Sequence, residues 1–226
     1  MRELKLAKVS LALFIVAVAC GIAWADPAAI INPSFESPEV PQGLWSSNGL
    51  VSGWTCSNNA SCGVWYPEDA HFSSIPDGNQ VMWLNGGSLS QQLANVFLTA
   101  GSAYTLSAYV GHRDDSWYAD IDIWDSNYSL QLLAGSTVIA SGSGYDPLLG
   151  NFGLLTLPTY TAAVDDALIG QPLSIVFTNS AVQTNFDKVS LDVSTSMPPA
   201  VPEPTSIILL GSGLSIIALA SWRRKK

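Results

Sequence analysis

Between residues 80 and 193 the chain does not sustain a helical hydrophobic period; short alternating or β-branched runs are broken instead by Gly, Asn, Ser and Pro. This pattern predicts strands over 80–85, 89–93, 103–111, 117–124, 128–134, 137–140, 172–179 and 186–193. Asp77-Gly78-Asn79, Asn85-Gly86-Gly87, Ala134-Gly135-Ser136 and Ile169-Gly170-Gln171 supply turn chemistry between them. Within 103–111, Tyr104, Leu106, Ala108 and Val110 fall on one face and Thr105, Ser107 and Tyr109 on the other, so the first set is expected in the core. About eight short strands with such spacing favour an all-β fold, a single jelly-roll β-sandwich whose two apolar faces cover each other.

The ends obey different rules. Basic residues at Arg2, Lys5 and Lys8 precede the apolar run 9–19, and Ala23-Trp24-Ala25 closes it with small residues. That order is a secretory signal peptide over 1–25, with the mature chain expected to begin near Asp26. A lipoprotein signal ending at Cys20 is the competing reading, and Ala17 stands where such signals carry leucine. At the other end Val201-Pro202-Glu203-Pro204 precedes an uncharged stretch, 205–222, and Arg223-Arg224-Lys225-Lys226 follows it. A helix over 206–221 would be about 24 Å long, short of the ~30 Å hydrocarbon core, and its basic end would stay on the cytoplasmic side. Residues 194–200, with two prolines, read as a linker.

What lies between the ends is about 175 residues, enough for one domain with one core. Its only basic residues are Arg113 and Lys188, against sixteen acidic ones. A nucleic acid or an anionic membrane surface would be repelled. Cys56 and Cys62 remain after the signal peptide leaves, and in an oxidising compartment they are expected to form a disulfide worth about 2 kcal/mol in the chain-entropy model. A metal site there lacks a histidine at the right spacing, since neither His71 nor His112 is placed for it.

The tail, with Val201, Pro202, Glu203 and Pro204, then a short apolar segment, then Arg223 and Arg224, resembles the PEP-CTERM sorting signal over 201–226. The resemblance implies recognition by an exosortase, cleavage near Pro-Glu-Pro, transient passage through the inner membrane by the C-terminal transmembrane helix, and delivery to the surface or extracellular matrix of a Gram-negative bacterium. A plain tail anchor is the alternative, but it has no physical need for Pro-Glu-Pro.

A second resemblance runs through the middle. Asn32-Pro33-Ser34-Phe35-Glu36, Asp77-Gly78-Asn79-Gln80-Val81-Met82-Trp83-Leu84-Asn85, Leu89-Ser90-Gln91-Gln92-Leu93 and Phe186-Asp187-Lys188-Val189-Ser190-Leu191-Asp192-Val193 together resemble the galactose-binding-domain-like jelly rolls, among them many carbohydrate-binding modules. That resemblance covers 26–193. It implies a structural calcium tying the opening segment to the last strand through Glu36 and Asp187, with backbone carbonyls completing six to eight oxygen ligands. The alternative is that both carboxylates are polar residues at strand ends.

The densest mix of aromatic and acidic side chains is 112–125. As a strand it puts Ala119, Ile121 and Ile123 on the core side and Tyr118, Asp120, Asp122 and Trp124 on the other. Rings beside carboxylates suit a sugar, because the ring covers apolar C–H faces and the carboxylate accepts from hydroxyls. A solvated strand with incidental aromatics fits the same pattern. Trp54 and Trp83 read as structural core residues, while Trp45, Trp65 and Tyr66 adjoin loop-like sequence and are candidates to line a pocket. No Gly-x-Ser-x-Gly elbow, phosphate loop or His-Glu-x-x-His motif is present. The expectation is therefore a non-catalytic polysaccharide-binding module of the extracellular matrix; a structural or adhesive protein without a glycan ligand, and less readily a secreted hydrolase, are the alternatives.

Overall fold

A computed structural model of the chain describes residues 26–27, 30–46, 49–58, 61–114, 127–145, 147–180 and 183–195. Its strands, in chain order, are β1 (Asp26–Pro27), β2 (Thr55–Cys56), β3 (Cys62–Trp65), β4 (Val81–Leu84), β5 (Gly87–Phe97), β6 (Ser102–His112), β7 (Tyr128–Ala134), β8 (Thr137–Ser143), β9 (Asn151–Thr156), β10 (Tyr160–Thr161), β11 (Pro172–Asn179) and β12 (Thr184–Thr195). They form two antiparallel sheets. The larger, seven-stranded sheet runs β10-β6-β12-β4-β3, with β1 also paired to β12 and β9 to β6; the five-stranded one runs β2-β5-β11-β7-β8.

The alternation expected of β6 holds along its length: Tyr104, Leu106, Ala108 and Val110 are buried, whereas Thr105, Ser107 and Tyr109 are partly exposed. β7 and β11 repeat it with Leu130 and Leu132 and with Leu173, Ile175 and Phe177 facing inward. One apolar core draws on both sheets, which makes the chain an all-β, two-sheet sandwich. Each such side chain taken fully from water contributes roughly 1.5–3 kcal/mol.

One end of the core is closed by the Asn32-to-Glu36 segment. Phe35 is fully buried; its ring centroid lies 5.5 Å from that of Trp54 and 6.5 Å from that of Phe177, and Phe177 in turn lies 4.6 Å from Phe186. Trp54 Nε1 donates to the Ile31 carbonyl at 3.0 Å, so the indole is anchored as well as packed. Val189 N donates to the Pro33 carbonyl at 2.9 Å and ties this opening segment to the last strand. Cys56 and Cys62 are joined by a disulfide, their Cα atoms 6.3 Å apart.

The strand expected over 117–124 and the C-terminal helix lie outside the described residues. β3 and β9 were not expected from the pattern. All four residues of β3 are buried because both of its faces are covered, which erases the alternation that would have marked it.

Candidate functional site

Around β3 and β4 the outer face of the larger sheet does not meet water as the outer face of a simple sandwich would. Trp65, Phe72 and Val81 are buried there in a second apolar cluster, with Ile75, Trp83 and Phe152 packed against it. Trp83 is therefore not a core residue between the sheets, because Met82 and Leu84 take that side of β4 and send Trp83 outward, partly exposed. Strand register assembles the surface from distant stretches of sequence. One row crosses the sheet as Phe152, Gly111, Asn185, Trp83 and Gly63. The next pairs Leu154 with Tyr109 and Tyr109 with Asp187 on one side, and Val81 with Trp65 on the other.

Two glycines let aromatic rings lie down on this surface. A Cβ at Gly111 would meet Phe152 ring carbons at 2.5 Å, and one at Gly63 would meet Trp83 Nε1 and the Ser46 carbonyl at 2.7 Å. The rings also pack against one another. Phe72 and Phe152 centroids are 4.6 Å apart, and Trp65 meets Phe72 at 6.1 Å and the His71 imidazole at 4.9 Å, both edge-on.

Polar groups enter the cluster at few points. The Arg113 guanidinium lies 5.5 Å from the Trp65 ring centroid, a cation–π geometry, and its Nη1 donates to Gln183 Oε1 at 3.0 Å. Gln183 Nε2 donates to Asn185 Oδ1 at 3.5 Å, and Asn185 Nδ2 to the Met82 carbonyl at 3.4 Å. Trp83 Nε1 is buried without a hydrogen-bond partner among the described residues. Aromatic walls with a few donors are what a flat, largely apolar small molecule with one or two polar atoms requires. A polar depression of about 540 Å³ at the end of the smaller sheet, lined by Asn127, Tyr128, Ser129, Ser143, Thr178 and Ser180, offers hydroxyls and amides with one aromatic residue, Tyr128, among them.

An acidic corner adjoins the surface. Glu36 Oε1 accepts from the backbone N–H groups of Asn79 at 3.0 Å and Gln80 at 2.7 Å. The turn approaches so closely that a Cβ at Gly78, whose φ is +69°, would lie 2.4 Å from the Glu36 carboxyl. Asp187 accepts from Asp77 N at 2.9 Å and Lys188 N at 2.6 Å, so both carboxylates hold the 77–80 turn that precedes β4. Asp187 is fully buried, and burial pushes its carboxyl up to about 8; its two backbone donors oppose this, and the carboxylates of Asp77 and Glu36 add to it. Among the described residues no three His, Cys, Asp or Glu side chains are grouped closely enough to hold a metal. Tyr118, Asp120, Asp122 and Trp124, expected to form the ligand face, lie outside the described residues.

The HpiC1-like family model, described as HpiC1 cyclase, matches residues 26–192. The chain belongs to the HpiC1-like cyclase family. The PEP-CTERM protein-sorting motif matches 200–225, so exosortase processing and export to the surface are supported for this member. No curated protein matches the chain in sequence. Among solved structures, a cyclase from Fischerella sp. TAU is 23% identical with a TM-score of 0.69, covering 77% of this chain and 100% of its own. A Stig cyclase from Fischerella sp. TAU, in complex with (3Z)-3-(1-methyl-2-pyrrolidinylidene)-3H-indole, is 22% identical with a TM-score of 0.69 over 77% of this chain and 100% of its own. A Fischerella sp. TAU cyclase in complex with 4-(1H-indol-3-yl)butan-2-one is 23% identical with a TM-score of 0.67 over 76% and 100%.

Membership of the HpiC1-like family corrects the expectation of a carbohydrate-binding module and, with it, that of a non-catalytic, polysaccharide-binding matrix protein. The motifs behind that expectation describe the scaffold. Phe35 and Phe186 fill the core, and Glu36 and Asp187 accept hydrogen bonds from the turn ahead of β4. Residues that do build that face, Trp65, Phe72, Trp83, Arg113, Phe152, Gln183 and Asn185, are scattered in sequence. The signals available were Trp65, an aromatic beside loop-like sequence, and Arg113, the sole arginine between Asp26 and Ala200 in an acidic chain.

Proposed function

We propose that the exported domain is a cyclase that holds a flat, mostly apolar, indole-class small molecule against the outer face of the larger sheet. The observation that carries this is the buried aromatic cluster on that face, in a chain matched from 26 to 192 by a cyclase family model. Trp65, Phe72, Trp83 and Phe152 supply the rings that stack on such a molecule and lower the energy of a developing cation. A ring closure that is an isomerisation takes up one proton and releases one. Titratable side chains that border the cluster include His71, edge-on to Trp65, and, one row away, Asp187 and Tyr109. Incubation with a panel of 3-alkenylindoles in deuterated water tests the reading: the expected product is an isomer carrying one deuterium at carbon, and failure of every member to isomerise would refute it.

Glu36 and Asp187 are the proposed ligands of a structural calcium, completed by carbonyl oxygens. Hard oxygen donors suit that ion. A buried carboxyl beside two further carboxylates is also a place where a cation relieves repulsion. A rise in melting temperature with millimolar calcium over chelator is expected, and identical melts would sink the assignment.

Maturation is proposed to remove the signal peptide, 1–25, and to cut near Pro202-Glu203-Pro204 after transient residence of the C-terminal helix in the inner membrane of a Gram-negative cell. The catalytic unit, 26–193, with its linker, 194–200, would then act outside the cytoplasm.

A further inference from the structure

At the centre of the outer-face row stands Asn185, between Gly111 on β6 and Trp83 on β4. Its side chain is fully buried, yet its bonds of 3.4 and 3.5 Å are well beyond the usual ~2.9–3.0 Å for N–H···O. A buried amide so weakly paired keeps much of its desolvation cost, and native structures tolerate that where the group has another partner to meet.

The direction in which the amide points is fixed from outside. Arg113 carries donors only, so Gln183 must turn Oε1 toward it, leaving Nε2 to face Asn185. Asn185 must then present Oδ1 to Gln183, and its NH₂ becomes the far end of the relay. Trp83 Nε1–H is itself a donor and cannot accept from that NH₂. The NH₂ gives one hydrogen to the Met82 carbonyl at 3.4 Å, and its second N–H lies on the face of the sheet that carries Trp83 and Phe152.

Resting on the cyclase reading above, we infer that Asn185 is the substrate-orienting donor of the site: its Nδ2–H bonds a neutral acceptor, a carbonyl oxygen or an imine nitrogen, on an otherwise apolar indole-class substrate. Gln183 and Arg113 are positioning residues that act through it.

Two probes isolate the bond: 4-(1H-indol-3-yl)butan-2-one and 3-butylindole, which shares its skeleton but lacks the carbonyl. Calorimetric titration of the full-length chain should show the ketone binding about tenfold more tightly, the worth of one buried hydrogen bond. In Asn185→Leu, checked for folding by its thermal melt, that preference should fall to within about twofold. In Gln183→Leu it should fall about threefold, because the amide stays but loses its orientation. A tenfold preference that survives in folded Asn185→Leu, or in Gln183→Leu if the first variant does not fold, overturns the inference, as does a wild type without preference. Failure of both probes to bind the wild type removes instead the site reading on which it rests.

Discussion

Asp187 makes the stability of this domain fall as pH rises through neutrality. Its carboxyl is pushed from 3.8 to about 8 in the folded chain, chiefly by burial. The native state thus holds a proton that the unfolded chain releases, and stability is fullest below about pH 4. It declines as the unfolded state ionises, by about 1.4 kcal/mol per pH unit for one proton. Between pH 5 and pH 7 the loss is about 2.7 kcal/mol on that slope, a large fraction of a small domain's total. Urea unfolding at pH 5, 6, 7 and 8 in chelator measures it, with Asp187→Asn as the control. The variant gives up one acceptor for the Asp77 and Lys188 backbone donors and is less stable at pH 5, but the slope attributable to this group should vanish. The same slope in wild type and variant, or a wild type no less stable at pH 8 than at pH 5, would refute the reasoning.

Gly111→Ala places a methyl 2.5 Å from the Phe152 ring and should destabilise by about 1–3 kcal/mol; the double variant with Phe152→Ala should recover most of it in thermal melts, and no recovery would mean that the clash lies elsewhere. Replacing Cys56 and Cys62 by Ser removes a short loop closure, of sequence separation six, and should lower stability by about 2 kcal/mol, read as a lower urea midpoint under oxidising conditions. Substituting Glu203 and Pro204 by Ala in the producing cell should leave precursor that retains the basic tail, detected by intact mass; normal processing would separate the motif from the cut.

The scaffold was far more legible than the site. Strands such as Tyr128–Ala134 and Pro172–Asn179 have one dry face and one wet face, so period two marks them directly, bounds included. Cys62–Trp65 escaped because Trp65 is covered by Phe72 and His71 from outside while Cys62 and Val64 face the core. The site is hidden by the same physics. A row built from residues 63, 83, 111, 152 and 185 exists only through antiparallel register, and two of its members are glycines, whose contribution is the absence of a side chain. Trp83 shows the limit of reading one strand alone: its neighbours reveal an apolar run, but which alternate residues face the core depends on the pairing of β4 with β12.

The position of β12 bears on how the domain withstands load while its tail is held. It is flanked by β6 on one side and by β4 and β1 on the other, and its pairing with β6 extends to Thr195, immediately before the segment that leads to the sorting motif. Tension entering there along the strand axis shears the ladder bonds on both sides together, whereas an edge strand peeled sideways would give them up one at a time. The fold therefore receives traction on a strand paired along both of its sides rather than on an edge strand such as β8.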